Sequence, residues 1–368
     1  MDERISPSPS LGGSVTVPGD KSISHRLAML GSLAEGVCRL ENYATGADCQ
    51  STLGAMSALG VRIERSGGAV VLHGVGLRGL RPPAAALEAG NSGSTMRMLS
   101  GILAGQPFRS EIAGDESLSR RPMDRIIRPL TEMGASIEAR ESRYPPLVIQ
   151  GGELRPIEYR SPVASAQVKS CVLFAGLFAR GRTTVREPAP TRDHTEIALR
   201  QFGVDVEGER GEAAVEGPAR LRACDFTIPG DLSSAAFFLV AALAAREAEV
   251  FIENVGLNPT RSALLEFLAS AGGDIQVLDL EQSGGELCGN LRVRASRLRG
   301  GVIEKKLTAA LIDEIPVLAV LGALSEGGLV VRDAAELRVK ETDRIATLAE
   351  NFRRMNVAID VRPDGFDV

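Results

Sequence analysis

The sequence predicts an α/β (α+β) protein of two domains built from a repeated unit, and three observations predict it. The first is length: 368 residues exceed one ordinary hydrophobic core, and at roughly 100 to 200 residues per domain two domains are expected. The second is a recurring pattern. Five times an amphipathic helical stretch ends in a short turn and enters an alternating strand: SALGVRIERS at Gly60, EMGASIEAR at Gly134, QFGVDVEGE at Gly203, SAGGDIQVL at Gly272 and RMNVAIDVR at Asn356. The successive spacings are 74, 69, 69 and 84 residues. Gly and Asn are the residues that a left-handed helix end accepts. The third is a second helix class, HRLAMLGSLAEG, TMRMLSGILAG, VKSCVLFAGLFARG, AAFFLVAALAA and IPVLAVLGALSEG, apolar nearly all round and therefore expected to be buried by its neighbours. A unit of about 70 residues is too long for a solenoid repeat and long enough for a small subdomain around a shared helical core.

Composition narrows the function classes. Hydrophobic residues at 44% and charged residues at 24% are those of a globular chain. The 42 basic and 47 acidic residues leave a net charge of −5, which gives no whole-molecule case for nucleic acid. No apolar run reaches the roughly 18 to 20 residues of a membrane span, and the start MDERISPSPS has no leader-like apolar region. Five cysteines (Cys38, Cys49, Cys171, Cys224, Cys288) form no CxxC, and the odd number argues against a disulfide framework. The three histidines have no metal-ligand spacing. A reduced, cytoplasmic protein without metal or cofactor is expected.

Polar motifs sit where the apolar helices begin. PGDKSISHR (18–26) follows the strand SVTV, and Asp20 or Ser22 can cap the helix, leaving amides at its positive end for an anion. Ser22 and Arg26 share a face. Asp20 separates Gly19 from Lys21, so the segment is not a nucleotide P-loop. An ordinary N-cap with solvated Lys21 and Arg26 fits the segment equally well. GNSGSTMR (90–97) repeats the device, with Gly93 allowing close approach to the backbone. In SLSRRPMDRIIRPL, Arg121 precedes Pro122, read as a first helical residue. Arg121, Arg125 and Arg128 then share a face, and only Arg121 earns a functional reading. SAQVKS (165–170) opens another apolar helix with hydroxyl, amide and Lys side chains. Asp313 and Glu314 precede Pro316, where carboxylates cap a helix. In ELRVKETDR, Lys340 and Arg344 are placed in the first turn of a helix striped by Ile345, Leu348, Phe352 and Met355. Cations there oppose the helix dipole unless an anion binds, the alternative being a surface pair of Arg344 with Glu341.

In this order, PGDKSISHR, GNSGSTMR, RRPMDR, SAQVKS, TRDHTE, IDEIPVLAV and ELRVKETDR resemble the 5-enolpyruvylshikimate-3-phosphate synthases, from about residue 10 to the end. The resemblance implies two domains of βαβαββ repeats around parallel buried helices, an inside-out barrel, with the site between them. Residues 1–18 with 231–368 would form one domain and 19–230 the other. It implies transfer of the enolpyruvyl group of phosphoenolpyruvate to the 5-hydroxyl of shikimate 3-phosphate, in chorismate and aromatic amino acid biosynthesis, by a monomer with small-molecule partners only. Asp313 would take the hydroxyl proton, Glu341 would serve the methylene carbon, and Lys21 would touch both substrates. Lys21, Ser22, Arg26, Ser165, Gln167, Arg192, Asp313 and Lys340 would hold shikimate 3-phosphate. Lys21, Gly93, Arg121, Gln167 and Arg344 would line the phosphoenolpyruvate site, where Gly93 leaves room for glyphosate. Acid and base are expected on opposite domains or faces.

Two departures from the family accompany the resemblance. A later segment with an Asp-His-Arg-Ile-type motif, and a Lys beyond it, do not occur in this sequence, and VAIDV-RPDG-FDV reads as a hairpin stopped in its second strand, the broken start of a sixth repeat. Met98 also follows Arg97 where one branch of the family has Pro. Two alternatives are a non-catalytic shikimate 3-phosphate binder and the sibling transferase acting on UDP-N-acetylglucosamine. The second carries a Lys-Asn pair where Lys21-Ser22 stands and uses a loop Cys, and no Cys lies between residues 50 and 170.

Overall fold

The computed structural model describes residues 6, 8, 10–66, 68–209 and 211–368. Most of the opening MDERISPSPS, read above as lacking a leader, lies outside the described residues. In chain order the elements are β1 (Leu11–Thr16); α1 (Lys21–Leu33), β2 (Glu35–Glu41), α2 (Ala47–Ala58), β3 (Arg62–Ser66), β4 (Ala69–Val75); β5 (Leu87–Glu88), α3 (Gly93–Ala104), β6 (Arg109–Ala113), α4 (Asp124–Glu132), β7 (Ser136–Arg140), β8 (Tyr144–Gln150). Then come β9 (Glu158–Arg160), α5 (Ala166–Gly176), β10 (Gly181–Arg186), α6 (His194–Gln201), β11 (Val206–Glu207), β12 (Glu212–Gly217) and β13 (Phe226–Thr227). The remainder is α7 (Leu232–Ala244), β14 (Ala248–Gly256), α8 (Ala263–Ser270), β15 (Asp274–Ser283), β16 (Glu286–Arg294), β17 (Gly301–Ile303), α9 (Lys306–Ala310), α10 (Ile315–Ala323), β18 (Leu329–Val331), α11 (Arg344–Arg354), β19 (Asp360–Arg362) and β20 (Gly365–Asp367).

Among the described residues the strands form five four-stranded sheets with one plan. An edge strand runs parallel to a second strand, and the second pairs antiparallel with a third. A parallel pair needs a crossover, and the apolar helices α3 and α5 supply it from β5 to β6 and from β9 to β10. The turns that close the second helix of each unit are left-handed at Gly60, Gly134, Gly203, Gly272 and Asn356, as the spacing pattern predicts.

The chain divides into two compact units. One holds Gly19–Ile228 with Ser283–Gly285, and the other holds the described residues up to Pro18 together with Pro229–Gln282 and Glu286–Val368. The Gly19–Ile228 unit contains the sheets β13-β2-β4-β3, β5-β6-β8-β7 and β9-β10-β12-β11. Its first sheet takes its edge strand, β13, from the far end of the segment. The inner helices α1, α3 and α5 are almost wholly buried, around a core that includes Phe174, Phe178 and Phe202. At Gly101 a Cβ would lie 2.1 Å from the Cys171 carbonyl oxygen, so only Gly lets α3 and α5 approach this closely.

The other unit contains β1-β14-β16-β15 and β17-β18-β20-β19. Here β1 supplies the parallel edge from the start of the chain. Its core joins α7, α8, α10 and α11 through residues such as Leu239, Phe267, Leu318, Phe352 and Phe366. Burial of the apolar helices is incomplete in this unit: Phe237 on α7 is 65% exposed and Leu324, after α10, is 64% exposed. The terminal hairpin corrects the sequence reading. β20 pairs with both β19 and β18, and Val368 exchanges backbone hydrogen bonds with Leu329 at 2.8 and 2.9 Å. The hairpin read as the broken opening of a sixth repeat belongs to the fifth sheet.

Candidate active site

In the Gly19–Ile228 unit the functional side chains are set by helix starts. Asp20, not Ser22, caps α1, its Oδ1 accepting from Ile23 N at 2.9 Å. Lys21 is exposed, with Nζ 3.3 Å from Asp48 Oδ2. Asp48 sits in the first turn of α2, where the helix dipole favours a carboxylate. Arg26, read as either a ligand contact or a solvated cation, turns inward and is buried. It donates to Thr195 Oγ1 (2.6 Å), Ser22 O (2.8 Å) and Ser170 Oγ (2.8 Å).

The starts of α1, α2 and α3 are tied by a buried chain of polar groups. His25 Nδ1 lies 2.7 Å from Thr52 Oγ1, which lies 2.7 Å from Thr95 Oγ1. Thr95 Oγ1 in turn reaches Ser92 Oγ (2.7 Å) and Asp48 O (3.3 Å). Burial, reinforced by the charges of Lys21 and Arg26, pushes the His25 imidazole down to about 3, so the ring is neutral at physiological pH. Thr95 spends its one hydroxyl proton on Ser92 or Asp48, which leaves Thr52 donating to Thr95 and accepting from the imidazole. The network therefore assigns the proton of His25 to Nδ1.

Gly93, Arg121 and Gln167 come together around Arg97. Arg97 Nη1 donates to Gln167 Oε1 at 2.7 Å, and Gln167 Nε2 donates to Ser94 Oγ at 2.8 Å. A Cβ on Gly93 would stand 3.0 Å from Arg97 Nη1 and 3.7 Å from Arg121 Nη1. Arg121 is held by Asn91 Oδ1 at 2.5 Å, and Asn91 donates to Asp115 at 2.6 Å. The Asp115 carboxyl is held low by the Leu118 amide and then by Asn91. The reading of Pro122 as a first helical residue is corrected: α4 begins at Asp124, and Arg121 follows a 3₁₀ turn, off the face of Arg125 and Arg128. Ser165 caps α5, accepting from Val168 N at 3.4 Å. Arg192 stands half-buried just before α6. Lys169, in the same stretch, faces inward. It is buried between Glu187 and Glu196, at 3.0 and 2.7 Å.

In the other unit, Asp313 Oδ1 lies 3.7 Å from Lys340 Nζ, and Glu341 pairs with Arg344 at 2.6 Å. Both carboxylates read as acid and base thus belong to one unit. Lys340 is not in the first turn of a helix. It follows a 3₁₀ turn, and α11 starts at Arg344 behind the cap Asp343. Burial raises the Asp343 carboxyl, but bonds from Ala346 N and Arg338 outweigh it and leave the group low. Met355 is exposed rather than part of the buried stripe. The capping reading of Glu314 also gives way. It makes no side-chain cap bond. Its Oε1 accepts from Ser233 Oγ and from Arg261 Nη2 at 3.2 Å, with Arg261 also 2.5 Å from Ser233. Buried Glu314 thereby anchors the turn that carries Asp313.

Asp48, Arg97 and Asn91 were not singled out from the sequence. Arg97 and Asn91 lay inside a motif already marked, whereas nothing local marked Asp48.

Five sheets of one βαβαββ plan around buried apolar helices define an α/β protein of the repeated-unit class. The family model described as EPSP synthase (3-phosphoshikimate 1-carboxyvinyltransferase) matches residues 5–368. The 3-phosphoshikimate 1-carboxyvinyltransferase of Solibacter usitatus (strain Ellin6076) is 61% identical over 365 residues, spanning 99% of this chain and 86% of that protein. The protein of that name from Geobacillus kaustophilus (strain HTA426) is 50% identical over 97% of this chain and 84% of its own length. A solved EPSP synthase from Acinetobacter baumannii superposes with a TM-score of 0.87 at 45% identity, covering 97% of this chain and 81% of that one. The chain belongs to the EPSP synthase family.

Proposed function

We propose that this chain transfers the enolpyruvyl group of phosphoenolpyruvate to the 5-hydroxyl of shikimate 3-phosphate and releases phosphate. The observation that carries the reading is the meeting of Gly93, Arg121 and Gln167 around Arg97. Two guanidinium groups there face a stretch of backbone that no side chain shields, a setting made for a small, doubly anionic substrate. Lys21, Ser22, Arg26, Ser165, Gln167, Arg192 and Lys340 are the groups for shikimate 3-phosphate, with Arg344 and Lys21 adding positive charge for phosphoenolpyruvate.

The chemistry needs one proton taken and one delivered. The substrate hydroxyl gives its proton to Asp313 as its oxygen bonds to the central carbon of phosphoenolpyruvate. The methylene carbon takes a proton from Glu341, and a tetrahedral ketal results. Loss of a methyl proton back to Glu341 expels phosphate and restores the double bond. Cations fixed in advance around the phosphate and carboxylate stabilise the charge that builds on them. The chain acts as a monomer in the cytoplasm under this reading, which light scattering of the purified protein checks for the monomer. Calorimetry with each substrate, followed by a phosphate-release assay, tests the function. Binding of shikimate 3-phosphate without phosphate release would make the chain a binder and overturn its role as an enzyme.

A further inference from the structure

A buried ionic layer lies behind the candidate site. Lys169 on α5 stands between Glu187 at the end of β10 and Glu196 on α6. The Lys169 and Glu187 side chains are about 5% and 1% exposed. A residue adjacent to the ion pair on each helix makes a second cross-link: Ser170 Oγ and Thr195 Oγ1 are 2.6 Å apart. Both of those hydroxyls accept from Arg26 of α1. Two cations, Lys169 and Arg26, and two anions, Glu187 and Glu196, are thus balanced in one layer that pins α1, α5 and α6. Glu187 uses its other oxygen to accept from Thr191 Oγ1 at 2.7 Å. Its backbone N–H is held by Gly211 O at 2.8 Å.

We propose that Lys169 is a positioning residue: its clamp between Glu187 and Glu196 fixes the start of α5, with Ser165 and Gln167, against the 187–193 loop that carries Arg192. Stability alone is a poor reason for such a layer. Taking charges out of water offsets their attraction, and well-packed apolar replacements hold a fold as firmly. Apolar contacts are indifferent to small slides, whereas one ammonium held by two carboxylates on different elements permits a single arrangement. Gln167 sits two residues from Lys169, and Arg192 follows Thr191 directly. A slide of α5 against the loop displaces both at once. The geometry predicts that loosening the clamp weakens shikimate 3-phosphate binding more than it lowers the melting temperature.

The proposal rests on the substrate reading above, and the test separates the two. Calorimetry of the full chain with shikimate 3-phosphate is run on the wild type, Lys169→Met, Lys169→Arg, Glu196→Gln and the triple variant Lys169→Met/Glu187→Met/Glu196→Met. Loss of positioning raises the dissociation constant about tenfold in Lys169→Met and in the triple variant, with Lys169→Arg within about threefold of wild type. The triple variant keeps its melting temperature. A folded triple variant, or Glu196→Gln if Lys169→Met does not fold, that binds within twofold of wild type overturns the proposal. Should the wild type itself not bind, the substrate reading fails and the clamp is read by hydrogen exchange. Amides of Ala189, Thr191, Arg192 and Asp193 then exchange at least about tenfold faster in Lys169→Met or Glu196→Gln if the clamp orders the loop. Unchanged exchange in a folded variant overturns it.

Discussion

Replacing His25 with Asn should remove a specific part of the pH dependence of stability. The imidazole is fully buried on α1 and pushed down to about 3, first by burial and then by Lys21 and Arg26, with Asp20 opposing them. In the unfolded chain the same ring takes its proton near 6.5. A folded pKa below the unfolded one means that the stability contribution is whole above about pH 6.5 and is lost as pH falls toward 3. From pH 7 to pH 5 the unfolded ring gains most of a proton and the folded ring almost none, a loss of about 2 kcal/mol. Urea unfolding of wild type and His25→Asn at both pH values isolates that amount, because the carboxylates are common to the two proteins. Asn keeps a hydrogen-bonding group for Thr52, so the variant should fold. With only three histidines in the chain, imidazole NMR can follow each ring, and His25 should stay in its Nδ1–H form down to pH 5. A ring that titrates between pH 6 and 7, or a variant that loses as much stability as wild type over this range, would refute the reasoning.

The other consequences are more local. Asp313→Ala should cut turnover by about 10² to 10⁴ while calorimetry still detects shikimate 3-phosphate binding, since a proton acceptor is lost and the cations remain; normal turnover would remove Asp313 from that role. Glyphosate should raise the apparent KM for phosphoenolpyruvate, and Gly93→Ala should blunt the effect, because the new methyl would crowd Arg97 Nη1 at 3.0 Å; phosphoenolpyruvate saturation that glyphosate leaves unaltered counts against the shared pocket. Gly101→Ala should lower the unfolding free energy by about 3 kcal/mol, as its Cβ overlaps the Cys171 carbonyl and forces α3 off α5. A change of less than about 0.5 kcal/mol, typical of a neutral surface substitution, would show that the two helices shift freely.

The repeats were legible because they rest on local chemistry. Gly60, Gly134, Gly203, Gly272 and Asn356 each end a helix with positive φ, and only a few residue types tolerate that conformation. The caps Asp20 and Ser92 were within reach of the same logic. Glu314 was not. At a helix start a carboxylate reads as a cap, and its real partners, Arg261 and Ser233, lie 53 and 81 residues earlier. The terminal hairpin was assigned to a sixth unit for a similar reason: the pairing of β20 with β18 that places it in the fifth sheet joins residues far apart in sequence. Arg26 could be read as a solvent-facing cation because periodicity marks the apolar face of a helix, and here nearly every face of α1 is covered.

That last failure has a physical cause that bears on how the site works. Helices apolar all round must still bury whatever polar residues the site requires at their starts, and a buried polar group without partners costs more than its bond returns. Each start is accordingly backed by a set of buried partners: His25, Thr52 and Thr95 behind α1 to α3, the Lys169 layer behind α5 and α6, and Arg261 with Ser233 behind the Asp313 turn. Such sets restrict how the elements they join can shift, so they hold exposed Lys21 and half-buried Asp313 more firmly than those side chains could hold themselves. Substitutions in these buried sets should therefore change substrate affinity and turnover even though, Arg26 apart, none of those residues needs to touch the substrate.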